Sequence, residues 1–282
     1  MTTFTGTSGN DTFVGGPDYD IFHMEQGGND TVFGGNRRDE FYFGSSFTSE
    51  DRVDGGGDLL DRLYIAGEYA ADIEISKGQI SRIEYLLYDP HFSYVIRLED
   101  GFNGNRTSSY FFVGTSLIGA ETFTLDGSRV KLVPLWINGA GGDDTITGGQ
   151  ASDRLFGSDG KDVLNGLAGN DLIQGGRGAD TLTGDAGADR FAYDISDLGT
   201  PRIFDTITDF GAGDRIDLSQ IDVAFHLGRT PNHYGDIVAT YMRASDETVL
   251  RLFTDGDNKP DLVIHLDGRH LDLTPADFLF HG

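Results

Sequence analysis

Six aspartates recur at an interval of nine residues without interruption. They are Asp144, Asp153, Asp162, Asp171, Asp180 and Asp189. An apolar residue stands two positions after each of them, and a glycine stands five positions before each. Consecutive units that share fixed positions in this way predict a structural repeat, in which every unit places one carboxylate at the same point. Carboxylates brought together in a row can bind a cation or, without one, repel each other.

Glycines at two positions of the unit are the candidate turn residues, because glycine adopts backbone conformations that a side chain forbids. The glycines that stand five residues before an aspartate include Gly148, Gly157, Gly166 and Gly175. The glycines that stand two residues before an aspartate are Gly142, Gly160, Gly169, Gly178 and Gly187. In the remaining unit this position holds Ala151. We expect these turns to present backbone carbonyl oxygens beside the carboxylates.

The elements that position the aspartates are short strands. Each unit ends in three residues with an apolar one in the middle, as in a strand whose central side chain points inward. Two units would make one coil of a flattened solenoid, with a parallel sheet on each side and about 4.8 Å between coils. One edge would then hold Asp144, Asp162 and Asp180, and the other would hold Asp153, Asp171 and Asp189.

A weaker copy of the repeat opens the chain. Its candidate metal ligands are Asp11, Asp20, Asp30, Asp39, Gly9 and Gly28. In the other two units Asp18 and Arg37 take the place of the second glycine, so the geometry of those turns stays open, as does the alternative of a flexible acidic segment.

The donor atoms favour one metal. Carboxylate and turn carbonyl oxygens are hard donors that suit Ca²⁺ in six- to eight-fold coordination. Zinc would require cysteine or histidine, yet the chain has no cysteine and no histidine between His91 and His226. We therefore predict several bound Ca²⁺ ions.

The units GSDGKDVLN (157–165), GLAGNDLIQ (166–174) and GGRGADTLT (175–183) resemble the nonapeptide of the RTX, or hemolysin-type calcium-binding, family. The resemblance is close over residues 137–193 and looser over residues 6–42. It implies a parallel β-roll in which the aspartate and turn oxygens of units n and n+2 hold Ca²⁺ between them.

The remaining chain divides into further segments. We expect a degenerate roll block at 1–65, a β-rich segment at 66–136, formed either by irregular coils or by a small packed sheet, the main roll at 137–193 and a cap at 194–282. The cap is similar to the region that follows the roll in serralysin-type exported proteases, at DTITDFGAGDRIDLS (205–219), DGDNKPDLVIHLDG (255–268) and ADFLF (276–280). That similarity implies a type I secretion signal near the C-terminus. The predicted fold is all-β: a two-block parallel β-roll with an intermediate segment and a β cap.

Composition excludes several classes of partner. The 282 residues carry 46 Asp and Glu against 21 Lys and Arg, a net charge of −25. Such a surplus argues against nucleic acid, whose phosphates require cations on the protein. No stretch approaches 18 apolar residues, which argues against an integral membrane segment. The first ten residues lack a basic and apolar leader, so we expect any export to use another signal.

Two functions from different classes remain. The first is a non-catalytic, secreted calcium-binding protein that acts at the cell surface, in a matrix or toward a host, similar to small RTX proteins without a catalytic domain. The second is a small polysaccharide-active enzyme or its accessory module, because Tyr88-Asp89-Pro90-His91 resembles a short motif of RTX-bearing mannuronan epimerases. A groove in residues 66–136 with two carboxylates and a base would favour the second. Neither His-Glu-x-x-His nor Gly-x-Ser-x-Gly occurs in the sequence.

Overall fold

The computed structural model describes residues 1–57, 60–103, 111–114, 121–198, 204–221, 226–227, 235–255, 259–270 and 272–280. Over these residues the protein consists of short strands, with two 3₁₀-helices at Ile195–Asp197 and Pro275–Asp277. The strands are β1 (Thr2–Thr5), β2 (Thr12–Val14), β3 (Asp20–His23), β4 (Thr31–Gly35), β5 (Glu40–Gly44), β6 (Arg52–Gly56), β7 (Arg62–Ile65), β8 (Ile73–Ile75), β9 (Ile80–Ser81), β10 (Tyr85–Tyr88), β11 (Tyr94–Leu98), β12 (Phe111–Gly114), β13 (Phe123–Asp126), β14 (Leu135–Asn138), β15 (Thr145–Thr147), β16 (Arg154–Asp159), β17 (Val163–Asn165), β18 (Leu172–Arg177), β19 (Thr181–Thr183), β20 (Arg190–Ala192), β21 (Asp205–Ile207), β22 (Arg215–Asp217), β23 (His226–Leu227), β24 (Asp236–Met242), β25 (Glu247–Leu252), β26 (Leu262–Asp267) and β27 (Phe278–Leu279).

The strands form a parallel solenoid, so the prediction of an all-β parallel roll is confirmed. One face is a parallel sheet in the order β1-β3-β5-β7-β10-β12-β14-β16-β18-β20-β22-β27. The opposite face comprises two sheets. The first is β2-β4-β6-β9, and the second runs β8-β11-β13-β15-β17-β19-β21-β26-β25-β24-β23. The chain alternates between the two faces, and each turn between them lies on one edge of the roll.

The core of the main roll is a single row of apolar side chains on each face. The apolar residue of every unit is fully buried, as the repeat predicts: Ile146, Leu155, Leu164, Ile173, Leu182 and Phe191. Residues 139–192, all of which are described, contain these six buried apolar side chains. The described part of residues 66–136 contains seventeen. Since burial of apolar surface is the main favourable term in folding, the main roll needs another source of stability.

Residues 66–136 continue the solenoid as irregular coils and not as a separate packed sheet. Strand β10 pairs with β7 and β12, and β12 pairs with β14, all in parallel. Their coils are long and aromatic. The rings of Tyr88 and Phe123 stack with centroids 4.5 Å apart, and Phe102 packs edge-on against Phe111 at 4.7 Å. Because the sheets run through all four predicted segments, the boundaries between those segments remain predictions.

The C-terminal cap closes the roll with a change of strand direction. Strand β26 pairs in parallel with β21, while β24, β25 and β26 are antiparallel neighbours. On the other face β27 adds to β22, directly after the helix Pro275–Asp277. Residues 256–258 of the serralysin-like stretch lie outside the described residues. None of the helices in the described part has the length and apolar character that a membrane crossing requires.

Candidate calcium sites

The repeat aspartates form two ladders along the edges of the main roll, as the nine-residue interval predicts. One oxygen of each carboxylate, Oδ1, accepts a hydrogen bond from a backbone N–H of the preceding coil. In four of the six this N–H belongs to the aspartate 18 residues earlier, whereas Asp144 and Asp153 accept from Phe123 and Leu135. Asp162 accepts from Asp144 and Asp180 from Asp162, both at 2.8 Å, on one edge. On the other edge Asp171 accepts from Asp153 at 2.7 Å. These bonds tie each coil to the next and fix the orientation of the carboxylate.

The second carboxylate oxygen, Oδ2, points into a space inside its own turn. In five of the six repeat aspartates this atom is buried and has no hydrogen-bond partner; they are Asp144, Asp162, Asp171, Asp180 and Asp189. The sixth, Asp153, accepts from the N–H of Gly149 at 2.5 Å. A buried carboxylate oxygen without a partner is energetically costly, so each of these turns lacks a positively charged or donating group.

The first glycine of each unit leaves the space that such a group would fill. A Cβ atom on Gly157 would overlap Oδ2 of Asp162, and on Gly175 it would overlap Oδ2 of Asp180. The carbonyl oxygen of the next coil borders the same space, since the Cβ on Gly157 would lie 2.6 Å from the oxygen of Gly175. We call this space, between one Oδ2 atom and the carbonyl of the next coil, a cradle.

The donor set of a cradle fits Ca²⁺. A carboxylate oxygen from one coil and a carbonyl oxygen from the next are hard ligands that a calcium ion can bridge. No three Asp, Glu or His side chains of the described residues converge as a metal cage. Turn carbonyls must therefore supply most of the coordination, as the glycine pattern predicts.

The second glycine of the unit allows the coils to approach each other. Gly178 has a φ of +153°, and a Cβ there would overlap the carbonyl oxygen of Gly160 in the coil below. Gly160 bears the same relation to Gly142. Ala151 is tolerated because the close contact in its coil pair involves its carbonyl oxygen and not its Cβ. The residue that faces this oxygen is Gly169 in the next coil, where an added Cβ would lie 2.5 Å from it.

Burial disfavours the charged form of the metal-free carboxyls. Desolvation raises the pKa of Asp144 to about 8, of Asp153, Asp162 and Asp171 to about 7, and of Asp180 and Asp189 to about 6. A carboxyl whose pKa is raised by folding stabilises the fold most below its unfolded pKa, near 3.8, and this stabilisation is lost as the pH rises through the folded value. At neutral pH the metal-free roll therefore loses stability that a bound cation can restore.

The N-terminal block contains cradles at some of its predicted ligands. Asp39 has a buried Oδ2, and a Cβ on Gly34 would overlap it. Asp20 has the corresponding Gly15, although its Oδ2 also accepts from the N–H of Gly16 at 2.8 Å. The turn at Arg37 adopts a φ of +66° without a glycine.

The other predicted ligands of this block lie in different surroundings. Oδ2 of Asp11 accepts from the N–H of Thr7 at 2.6 Å, so the chain itself satisfies it. Oδ2 of Asp30 is buried without a partner, but Met24 is buried at the start of that turn, where the other units have a glycine. Gly28 has a φ of +116° over the carbonyl of Gly9 and repeats the close approach of the main roll.

The structure adds residues that the nine-residue interval does not identify. Asp61 has a buried Oδ2 above Gly55, which extends the row of Asp20 and Asp39 to a third cradle. At the other end, Asp205 and Asp214 accept from the N–H groups of Asp180 and Asp189, at 3.0 and 2.9 Å. Insertions of up to seven residues separate these aspartates from the preceding unit and interrupt the nine-residue interval. Each is nevertheless followed two positions later by an apolar residue, which is the signal in the sequence that identifies it.

Tyr88 is not presented to a substrate. It is 5% exposed, and its hydroxyl donates to the carbonyl oxygens of Asn138 and Gly139 at 2.8 and 2.9 Å. His91, three residues later, is exposed and lies 2.6 Å from Asp89. The resemblance of residues 88–91 to an epimerase motif therefore does not extend to an accessible tyrosine.

Comparison with known proteins supports the repeat. The family model of the RTX calcium-binding nonapeptide repeat matches four copies, at residues 3–23, 26–45, 136–164 and 156–191. Solved structures similar to this chain include the AlgE6R3 and AlgE6R2 subunits of the Azotobacter vinelandii mannuronan C5-epimerase. They are 29% and 27% identical, with TM-scores of 0.42 and 0.36; the matches cover 49% and 48% of this chain and 77% and 92% of the subunits. No curated protein sequence matches. The chain therefore contains RTX calcium-binding nonapeptide repeats, in a block near the N-terminus and in a block at residues 136–191.

Proposed function

We propose that this protein is a secreted calcium-binding RTX protein, which a type I system exports unfolded and extracellular Ca²⁺ folds. It then acts without catalysis at the cell surface, in a matrix or toward a host. The six repeat aspartates, with the glycines of their turns, are its principal ligands, and those of the N-terminal block with cradles, Asp20 and Asp39, add to them.

One observation carries this proposal: buried Oδ2 atoms without partners stand in rows, each beside a space that only glycine leaves open. A fold that buries so many carboxylates without a counter-charge is costly in the absence of a cation. A cation that binds only the folded state shifts the equilibrium toward that state by mass action. Calcium outside the cell thus supplies the stability that the thin apolar core of the main roll does not.

Removal of calcium is expected to unfold the repeat blocks. Circular dichroism in EGTA should lose most of the β signal of the saturated protein, and addition of about 5–10 mM Ca²⁺ should restore it, since extracellular sites have dissociation constants of about 10⁻⁴–10⁻³ M. Mg²⁺ at the same concentration serves as the control and should fail, because it requires near-octahedral geometry and keeps its waters. A β signal that is the same in EGTA and in calcium would refute the proposal.

The export signal is proposed to lie near the C-terminus. The similarity to serralysin-type exported proteases over residues 205–219 and 276–280 supports this, and low cytosolic calcium would leave the chain unfolded for passage. Removal of residues 263–282 should retain the protein in the cells when it is co-expressed with a type I transporter. Removal of residues 1–20, which takes away β1, β2 and the first residue of β3, should leave secretion intact. Equal amounts of the C-terminally truncated and parent chains in the medium would contradict the assignment.

The enzymatic alternative has less support from the geometry. A cavity of about 340 Å³ lies against residues 69–74, and its lining includes Asp72 and Glu74 but no histidine, lysine or arginine. Asp72 is held 2.8 Å from the guanidinium of Arg97, outside that lining. Among the described residues that line this cavity, two carboxylates without the accompanying base do not form the groove that the second function requires.

A further inference from the structure

One inward-facing position runs along the edge of the main roll that holds Asp144, Asp162 and Asp180. In three successive coils glycine occupies it, at Gly139, Gly157 and Gly175, and each of these glycines faces a cradle. Phe191 pairs with Ile173, which places Tyr193 at this position in the coil after Gly175. In the opposite direction, beyond the coil of β12, the position belongs to Tyr88. A tyrosine therefore stands at this position beyond each end of the glycine row, one coil away at Tyr193 and two coils away at Tyr88; the intervening residue of the β12 coil lies outside the described residues.

The hydroxyl of Tyr88 reaches the first cradle from below. The ring is buried, and the hydroxyl donates to the carbonyl oxygens of Asn138 and Gly139. Gly139 is the first glycine of the Asp144 turn, and burial, followed by the charge of Asp144, raises the pKa of this phenol. The positive end of the O–H dipole therefore points at the carbonyl oxygen of Gly139, and a carbonyl oxygen at this position lines the cradles of the row. It approaches from the end at which the row has no further glycine.

The hydroxyl of Tyr193 occupies the corresponding place at the other end. Tyr193 is 1% exposed, and its hydroxyl has no hydrogen-bond partner among the described residues. Burial raises the pKa of this phenol well above its usual value, and the carboxyls of Asp205, Asp197 and Asp180 raise it further. Asp180 belongs to the last cradle of the row, and Asp205 accepts from its backbone N–H at 3.0 Å. A buried phenol O–H without a partner in the described part of the chain therefore stands at this end of the row, where Oδ2 of Asp180 is also buried without one.

The geometry points to Tyr88 and Tyr193 as positioning residues that close this row of calcium ions. At each end a buried phenol O–H takes the place of the next cation, so that the terminal oxygens meet a positive dipole and ions are confined to the turns between Gly139 and Asp180. The inference rests on the proposed calcium function and adds to it the residues that set the length of the row.

Removal of either hydroxyl should weaken calcium-induced folding while leaving the ring in the core. Tyr88→Phe and Tyr193→Phe are each expected to raise the calcium midpoint of the circular dichroism transition about twofold, because each removes one buried hydroxyl at an end of the row and the effect is shared among several ions. The matched control is Tyr94→Phe. That tyrosine is also buried and packs 5.4 Å from Tyr88, but its hydroxyl lies near Asp89 and not at a cradle.

A second measurement reports the distance between phenol and ion. Terbium(III), a calcium substitute, emits when a nearby tyrosine is excited. At saturation this emission should fall in Tyr88→Phe and Tyr193→Phe relative to Tyr64→Phe, whose ring stacks on the outer face. Equal midpoints and equal terbium emission in all the variants, with a normal parent transition, overturn this inference alone. A parent chain without a calcium transition overturns the proposed function as well.

Discussion

Substitution of Gly178 by alanine is expected to abolish the calcium-induced folding of the main roll. The added Cβ would overlap the carbonyl oxygen of Gly160, and the φ of +153° is one that L-residues rarely adopt. Neither coil can move away, because hydrogen bonds on both faces hold them at the spacing of paired strands. We expect a loss of about 4 kcal/mol or more in the free energy of unfolding at saturating calcium, measured by urea titration.

Gly9 provides the matched control, because it stands at the same position of the first unit. A Cβ there would have its nearest neighbour among the described residues at 3.6 Å, in the side chain of Thr7. Gly9→Ala should therefore change the free energy of unfolding by no more than about 0.5 kcal/mol, as most surface substitutions do. Similar losses in the two variants would show that the second glycine is not required for the approach of neighbouring coils.

Asp162→Asn is expected to cause the second largest loss. Asparagine keeps an oxygen that can accept from the N–H of Asp144, but it removes the charge and turns an amide N–H₂ toward the cradle beside Gly157. A calcium ion there would lose its carboxylate ligand and meet a donor instead. Loss of one partner of a buried charge pair costs about 3–5 kcal/mol, so the calcium midpoint should rise several-fold and the free energy of unfolding in calcium should fall by that amount.

Asp143→Asn controls for the change of net charge. Asp143 precedes a ladder aspartate, but it is exposed, and its carboxylate accepts from the N–H of Lys161 at 2.8 Å outside the cradle. Calorimetric titration of the two variants should give weaker binding for Asp162→Asn and parent-like binding for Asp143→Asn. Equal weakening would mean that calcium affinity depends on the overall charge of −25 and not on the cradles.

The repeat units were predictable because their interactions are local or recur at a fixed distance along the chain. An aspartate, a glycine five residues before it and an apolar residue two after it define both the turn and the inward side chain of the strand. In the main roll an 18-residue coil places equivalent residues above each other, as in the pairing of Thr145 with Val163 and of Leu155 with Ile173. The choice of calcium followed from the oxygen donors and from the lack of cysteine.

The intermediate segment was less predictable because its coils have no common length. The interval between paired residues of one sheet is 23 from Arg62 to Tyr85 and 27 from there to Phe112, but 18 from Trp136 to Arg154. Backbone hydrogen bonds and burial of one side-chain row set the register, while insertions of different length are accommodated at the edges. Such a segment stacks like the repeats without resembling them in sequence.

The sequence by itself determined the roll, its metal and the two rows of carboxylates, because a short unit repeated in register imposes the same turn and the same neighbours on every coil. Only the tertiary structure decided which carboxylates face a cradle and where a row of cradles ends. That outcome depends on what fills the inward position at the start of each turn: Gly34 in the Asp39 turn, but Met24 in the Asp30 turn. For Tyr88 the partner is Gly139, 51 residues further along the chain, and only the stacking of intervening coils brings the two together.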